Sequence, residues 1–159
     1  MAETVAEIDV QQEQEVQDVV VGPQPGPQTA FVSCGADILV YGGQRGGGKT
    51  YSLLMEPLRY VKHAAFKAII FRRTYTEIKT AGGMWDDSEI LYPLFHGKPG
   101  ETKLLWTFPS GATIKFAHMQ HEKDRQQWLG AQIPLIGFDQ VESFTERQFI
   151  FLMSCNRSM

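Results

Sequence analysis

The sequence predicts an α/β domain with a largely parallel sheet flanked by helices and a β-hairpin inserted into it. Three observations predict it. Short apolar runs at 37–41, 67–71 and 135–138 each end at a glycine or a charged residue, the pattern of strands buried on both faces. Segments of helical period separate or follow these runs, and strands alternating with helices favour parallel pairing. Pro109-Ser110-Gly111 separates two further strand-like segments and carries turn chemistry.

The 159 residues suffice for one domain with a real core. Residues 1–27 hold six acids (Glu3, Glu7, Asp9, Glu13, Glu15, Asp18) and neither Lys nor Arg, and they close with Gly22-Pro23-Gln24-Pro25-Gly26-Pro27. Such a segment buries too little apolar surface to offset its ordering entropy, so it reads as a disordered arm or as one that orders on a partner. Residues 28–159 then form the folded part. They carry 15 basic and 12 acidic residues, a balance compatible with a polyanionic partner without arguing for one.

Asp37–Tyr41 is the first predicted strand, Gly42–Gly48 a loop, and Lys49–His63 a helix with Leu53, Leu54, Leu58 and Val61 on one face. Pro57 should kink that helix. Lys67–Phe71 is the second strand and ends at Arg72-Arg73. Leu104–Phe108 and Thr113–Ala117 form the hairpin. Leu135–Phe138 is the third buried strand and ends on Asp139. Thr145-x-x-Gln148 is a capping box that opens a helix through Phe149, Leu152 and Met153. No apolar run approaches the roughly 20 residues of a membrane helix, and the acidic N-terminus is unlike a secretory signal.

The chemistry lies in Gly43-Gln44-Arg45-Gly46-Gly47-Gly48-Lys49-Thr50, which fits G-x-x-x-x-G-K-[ST]. Glycines let a backbone wrap phosphates and turn its N–H groups inward. The helix that follows offers its positive end to an anion. In such a loop the lysine reaches the β- and γ-phosphates, and the threonine hydroxyl serves Mg²⁺. The expected context is a strand before and a helix after, and both are predicted. A second acidic strand end should complete the metal shell, and Asp139 is the best candidate. In many such enzymes a Glu that activates water follows directly. Here the position is Gln140, whose amide orients water but takes no proton, and Glu142 is the nearest carboxylate.

Arg45 sits where a guanidinium can reach a γ-phosphate, or it faces solvent. Of Arg72 and Arg73, one is a candidate for nucleotide, a neighbouring subunit or DNA, and the other for pairing with an acid. His118 and His121 lack a third ligand for zinc. Trp85, Trp106 and Trp128 read as packing residues rather than a base-stacking platform. Cys34 and Cys155 have no metal-ligand spacing and read as reduced packing residues of a cytosolic protein, a disulfide being the alternative.

From about Gln28 onward the chain resembles the N-terminal ATPase half of the large terminase subunit of tailed bacteriophages. The resemblance is carried in order by Gly26-Pro27-Gln28 with Phe31, Ala36-Asp37-Ile38 through Tyr41-Gly42-Gly43, and Gly46–Thr50 with Leu53-Leu54 and Pro57-Leu58-Arg59. Next come Ile70–Thr74, Gly82-Gly83-Met84-Trp85, Trp106–Ala112 and Phe116-Ala117-His118. Gly130-Ala131-Gln132, Ile136–Asp139 and Ser154–Ser158 complete it.

The resemblance implies a P-loop NTPase fold of the ASCE, RecA-like kind, binding ATP and Mg²⁺ and driving double-stranded viral DNA into a capsid. It implies that Gln28 reads the adenine, that Gly43 to Thr50 hold the phosphates, that Thr50 and Asp139 serve the metal, and that Arg45 acts on the γ-phosphate. The partners it implies are a portal protein, a small terminase subunit and further copies in a ring, in the cytoplasm of an infected bacterium and without a membrane. Relatives read Asp-Glu where this chain reads Asp139-Gln140, which makes Glu142, with Gln140, the substitute candidate for water activation. The family's coupling motif and nuclease domain would lie beyond Ser158, so the chain reads as a fragment. A RecA-like helicase or other DNA-dependent ATPase is the competing enzyme reading, and a nucleotide-binding fragment without turnover is the non-enzyme reading.

Overall fold

The computed structural model describes residues 21–44 and 46–157. Arg45, Ser158 and all but the last seven residues of the predicted arm lie outside them. The helices are α1 (Pro27–Ser33), α2 (Lys49–Met55), α3 (Tyr75–Lys79), α4 (Met84–Leu91) and α5 (Glu146–Cys155). The strands are β1 (Lys67–Arg72), β2 (Lys98–Gly100), β3 (Leu105–Thr107), β4 (Thr113–His118) and β5 (Leu135–Phe138). Among the described residues they form one sheet in the order β2-β3-β4-β1-β5.

The sheet is mixed, which corrects the largely parallel expectation. β1 pairs parallel with β4 and with β5, whereas β3 pairs antiparallel with β2 and with β4. The hairpin explains the difference. Its second arm, β4, docks alongside the central strand and carries β3 and β2 with it, so the hairpin supplies two of the sheet's five strands. The Pro-Ser-Gly turn forms as expected, with Ser110 Oγ donating to Val61 O at 2.5 Å and accepting from Ala112 N at 3.1 Å.

The apolar run at 37–41 forms no strand, contrary to expectation. Ile38, Leu39 and Val40 are exposed. An apolar run becomes a strand only beside a free edge with which it exchanges backbone hydrogen bonds. This segment lies instead near α1, where Tyr41 stacks on Phe31 with ring centroids 5.3 Å apart. The helix predicted over 49–63 also stops early, at Met55. Glu56–Tyr60 continues as a 3₁₀ turn with Pro57 in its opening positions, because proline supplies no N–H to an α-helical ladder.

Period-2 alternation along β1 places its side chains in two cores. Ala68 and Ile70 face Leu54, Ile78, Trp85, Tyr92 and Trp106. Ile69 and Phe71 face Met119, Leu152 and Cys155 of the opposite layer. The capping box of α5 is present as predicted, with Thr145 Oγ1 accepting from Gln148 N at 3.2 Å. Both cysteines are free thiols, and Cys155 is buried.

Candidate functional site

The carboxyl ends of β1 and β5 face the start of α2. Gly137 makes this approach feasible, since a Cβ there would stand 3.0 Å from Leu53 Cδ1. Packing α2 against β5 brings Thr50, the last residue of the loop motif, to Asp139, 89 positions away in sequence. Thr50 Oγ1 lies 3.3 Å from each carboxylate oxygen of Asp139. Asp139 is buried, and its N–H donates to Phe71 O at 2.9 Å, extending the ladder one residue past β5.

The loop leading to α2 is closed on itself. Lys49 Nζ donates to Gly43 O at 2.8 Å and to Gln44 O at 2.6 Å, and Tyr41 Oη donates to Gly47 O at 3.4 Å. Gly48 has φ +67°, and a Cβ there would fall 2.0 Å from Gln28 Nε2. Only glycine combines that backbone conformation with so close a neighbour. Gln28 is buried against the loop, and its Oε1 accepts from Gln24 N at 2.8 Å.

Alternation also separates the two adjacent arginines. Arg72 falls on the α2 side and donates through Nη1 to Asp139 Oδ2. Arg73 falls on the α5 side and donates to Gln148 Oε1 at 2.6 Å and Met119 O at 3.1 Å. One arginine therefore joins the site and the other ties β1 to α5. The expected division, one arginine for a ligand and the other paired with an acid, is not what forms: the arginine at the site is itself the acid-paired one, and Arg73 bonds an amide and a carbonyl. Strand parity was the signal available.

Gln140 has φ +58°, unusual for a residue with a Cβ, and its carbonyl accepts from Ser143 Oγ at 2.7 Å. Its side chain is exposed, as is that of Glu142 in the following 3₁₀ turn. Asp87, in the first turn of α4, is a residue the sequence reading missed. Burial raises its pKa, and the neighbouring charges of Asp86 and Asp139 raise it further. No local pattern marks it, because its relation to Asp139 exists only across the fold.

Thr50 and Asp139 suit a magnesium ion, which commonly takes one or two protein oxygens and fills the rest of its shell with waters and phosphate oxygens. Among the described residues no group of three or more His, Cys, Asp or Glu side chains converges to hold an ion without such help. His118 lies edge-on to Tyr75 at 6.0 Å, and His121 is the N-cap of the 3₁₀ turn at Glu122–Trp128, its N–H donating to Asp124 Oδ2 at 2.7 Å. Trp85 and Trp106 are buried, and Trp128 packs edge-on to Phe71 at 5.0 Å.

The fold and site define an α/β protein whose glycine-rich loop ends on a threonine that meets an acidic strand end. The family described as terminase large subunit, T4-like virus type, N-terminal, matches residues 40–158, three-quarters of the chain. The chain belongs to this family. The match spans the loop, Arg72, Asp139, Gln140 and Glu142, while Gln28 lies before it. No match was found among curated proteins or among solved structures. Among the described residues no helix is long and apolar enough to cross a membrane.

Proposed function

We propose that the chain binds ATP with magnesium at Gly43–Thr50 and hydrolyses it to drive viral DNA packaging. The observation that carries this reading is the meeting of Thr50 and Asp139 beside the loop. Lys49 exchanges the carbonyls of Gly43 and Gln44 for phosphate oxygens, and the N–H groups of 44–48 line the phosphates. Arg45 acts on the γ-phosphate, and Gln28 reads the base. Thr50 and Asp139 hold the magnesium, which when bound neutralises phosphate charge and orients the chain for in-line attack. Gln140 orients the attacking water, and Glu142 receives its proton. The partners under this reading are double-stranded viral DNA, a portal protein, a small terminase subunit and further copies in a ring, in the cytoplasm of an infected bacterium.

Calorimetry with ATP and magnesium tests the site. Lys49→Ala is expected to abolish binding, and unchanged binding would refute the assignment. Turnover is the second readout, with Glu142→Ala expected to lower the rate by about 10²–10⁴, the contribution of one proton-transfer group. Gln140 also motivates a second reading, binding without turnover. Lys49-dependent binding with no phosphate release in the parent chain selects it, and release gained in Gln140→Glu would trace the loss to that position.

A further inference from the structure

The carboxylate assigned to magnesium already has a cation on it. β1 and β5 run parallel with Phe71 beside Phe138, so Arg72 and Asp139 leave the sheet at the same level and on the same side. Arg72 Nη1 donates to Asp139 Oδ2, and the two side chains are 17% and 8% exposed. Thr50 touches the same carboxylate. The Nε of Arg72 is buried and has no hydrogen-bond partner among the described residues. An arginine keeps its charge at every accessible pH, so the guanidinium does not leave Asp139 by losing its own proton. What can displace the guanidinium is a ligand that brings both a competing cation and a competing anion. A magnesium–nucleoside triphosphate brings both. Its phosphate oxygens match the planar fork of a guanidinium, which has an unused donor.

We propose that Arg72 is a positioning residue that holds Asp139 in the nucleotide-free protein and exchanges it for phosphate oxygens when magnesium and a nucleoside triphosphate bind. This inference rests on the phosphate-binding reading of Gly43–Thr50. It couples the two ligands: magnesium alone competes against a fixed cation, whereas the triphosphate draws that cation away. A purely structural ion pair would stay on Asp139 in both states.

Two measurements on the full chain separate these alternatives. The first is the arginine ¹⁵Nε–¹Hε cross-peak of Arg72, assigned through its backbone connectivity, during titration with the non-hydrolysable analogue adenylyl-imidodiphosphate and magnesium. The cross-peak is expected to move with the two together and to stay in place with magnesium alone. The second is the ratio of analogue affinity in magnesium to that in EDTA. Arg72→Gln lets magnesium reach Asp139 without nucleotide, so by linkage it is expected to lower this ratio about tenfold at saturating magnesium, the scale of one charge-assisted contact. Arg72→Lys keeps the charge and should lower it less. A general weakening of the site cancels in the ratio, and the cross-peak needs no variant. An unmoved cross-peak at saturating analogue, or an unchanged ratio, overturns the role of Arg72. If Lys49→Ala abolishes binding in the same series, the phosphate-binding reading survives that outcome. If the parent chain does not bind the analogue, or Lys49→Ala binds it equally well, both fall together.

Discussion

The aromatic core and the glycine-rich-loop side of this domain are held in opposite ways. In the core, Trp85, Trp106, Tyr92 and Phe116 are essentially inaccessible to solvent. Their rings meet edge to face or tilted, with Tyr92 to Trp106 at 5.3 Å and Trp85 to Trp106 at 5.6 Å. Each polar handle is satisfied: Trp106 Nε1 donates to Ser88 Oγ at 3.0 Å, Tyr92 Oη to Leu54 O at 3.1 Å and Trp85 Nε1 to Glu89 Oε1 at 2.8 Å. On the loop side, Ile38, Leu39 and Val40 are exposed, and a lysine bonded to two carbonyls closes the motif. Stability is concentrated where the chain satisfies its own groups. The loop's side-chain hydrogen bonds are exposed to solvent, so this side belongs to the low-stability end of the molecule.

The comparison is broken most directly at Trp106. Trp106→Ala removes the ring shared by Trp85 and Tyr92 and leaves Ser88 without its donor. A cost of about 3–5 kcal/mol is expected, the range for deleting a buried aromatic. Urea unfolding followed by far-UV circular dichroism measures it. A variant as stable as the parent would mean that the core does not carry the fold.

Gly48→Ala probes the other side with a smaller effect on stability. The new Cβ would meet Gln28 Nε2 and would hold an alanine at φ +67°. The backbone part of the cost is about 1–2 kcal/mol. The collision adds to it and should disappear when Gln28→Ala is combined with the glycine change. The double-mutant cycle is therefore expected to be non-additive, with a residual cost from the backbone alone. Strict additivity would show that Gln28 does not press on the loop.

Much of the core was legible in the sequence because its signals are local. The apolar runs of β1 and β5, the Pro-Ser-Gly turn and the Thr145–Gln148 box each depend on neighbours within a few residues. What escaped depends on partners far along the chain. The run at 37–41 has a strand's composition, but a strand also needs an edge. The hairpin was read correctly as a hairpin, yet nothing near it reveals that β4 would lie parallel to β1 and make the sheet mixed. β2 has no alternation to read, being Lys-Pro-Gly. Within the site, the loop motif and Asp139 were readable by type. The ion pair to Asp139 was not, because it requires β1 and β5 to be adjacent and in register. With that adjacency known, strand parity alone assigns Arg72 to the site and Arg73 to α5.

Asp87 offers the finest test, because it lies on α4, whose Trp85 sits in the core, yet it feels the charge of Asp139. Its pKa is raised by burial first, then by Asp86 and Asp139. A folded-state value above the unfolded one means that the folded protein holds this proton more tightly. The associated stability is present below the unfolded value, about pH 4 for an aspartate, and is lost as pH rises through the raised folded value. Asn carries no charge, so Asp87→Asn should gain stability relative to the parent as pH climbs from below about 4 toward 7. The side chain is partly open to solvent, so the gain should be small, a few tenths of a kcal/mol after screening. Parallel thermal melts of both proteins across this range measure it. A difference independent of pH would show that Asp87 ionises as it does in the unfolded chain, and that the core helix and Asp139 are electrostatically separate. Adding Arg72→Gln removes the cation paired with Asp139 and should enlarge the pH-dependent gain, which ties this weakest effect to the exchange proposed at the site.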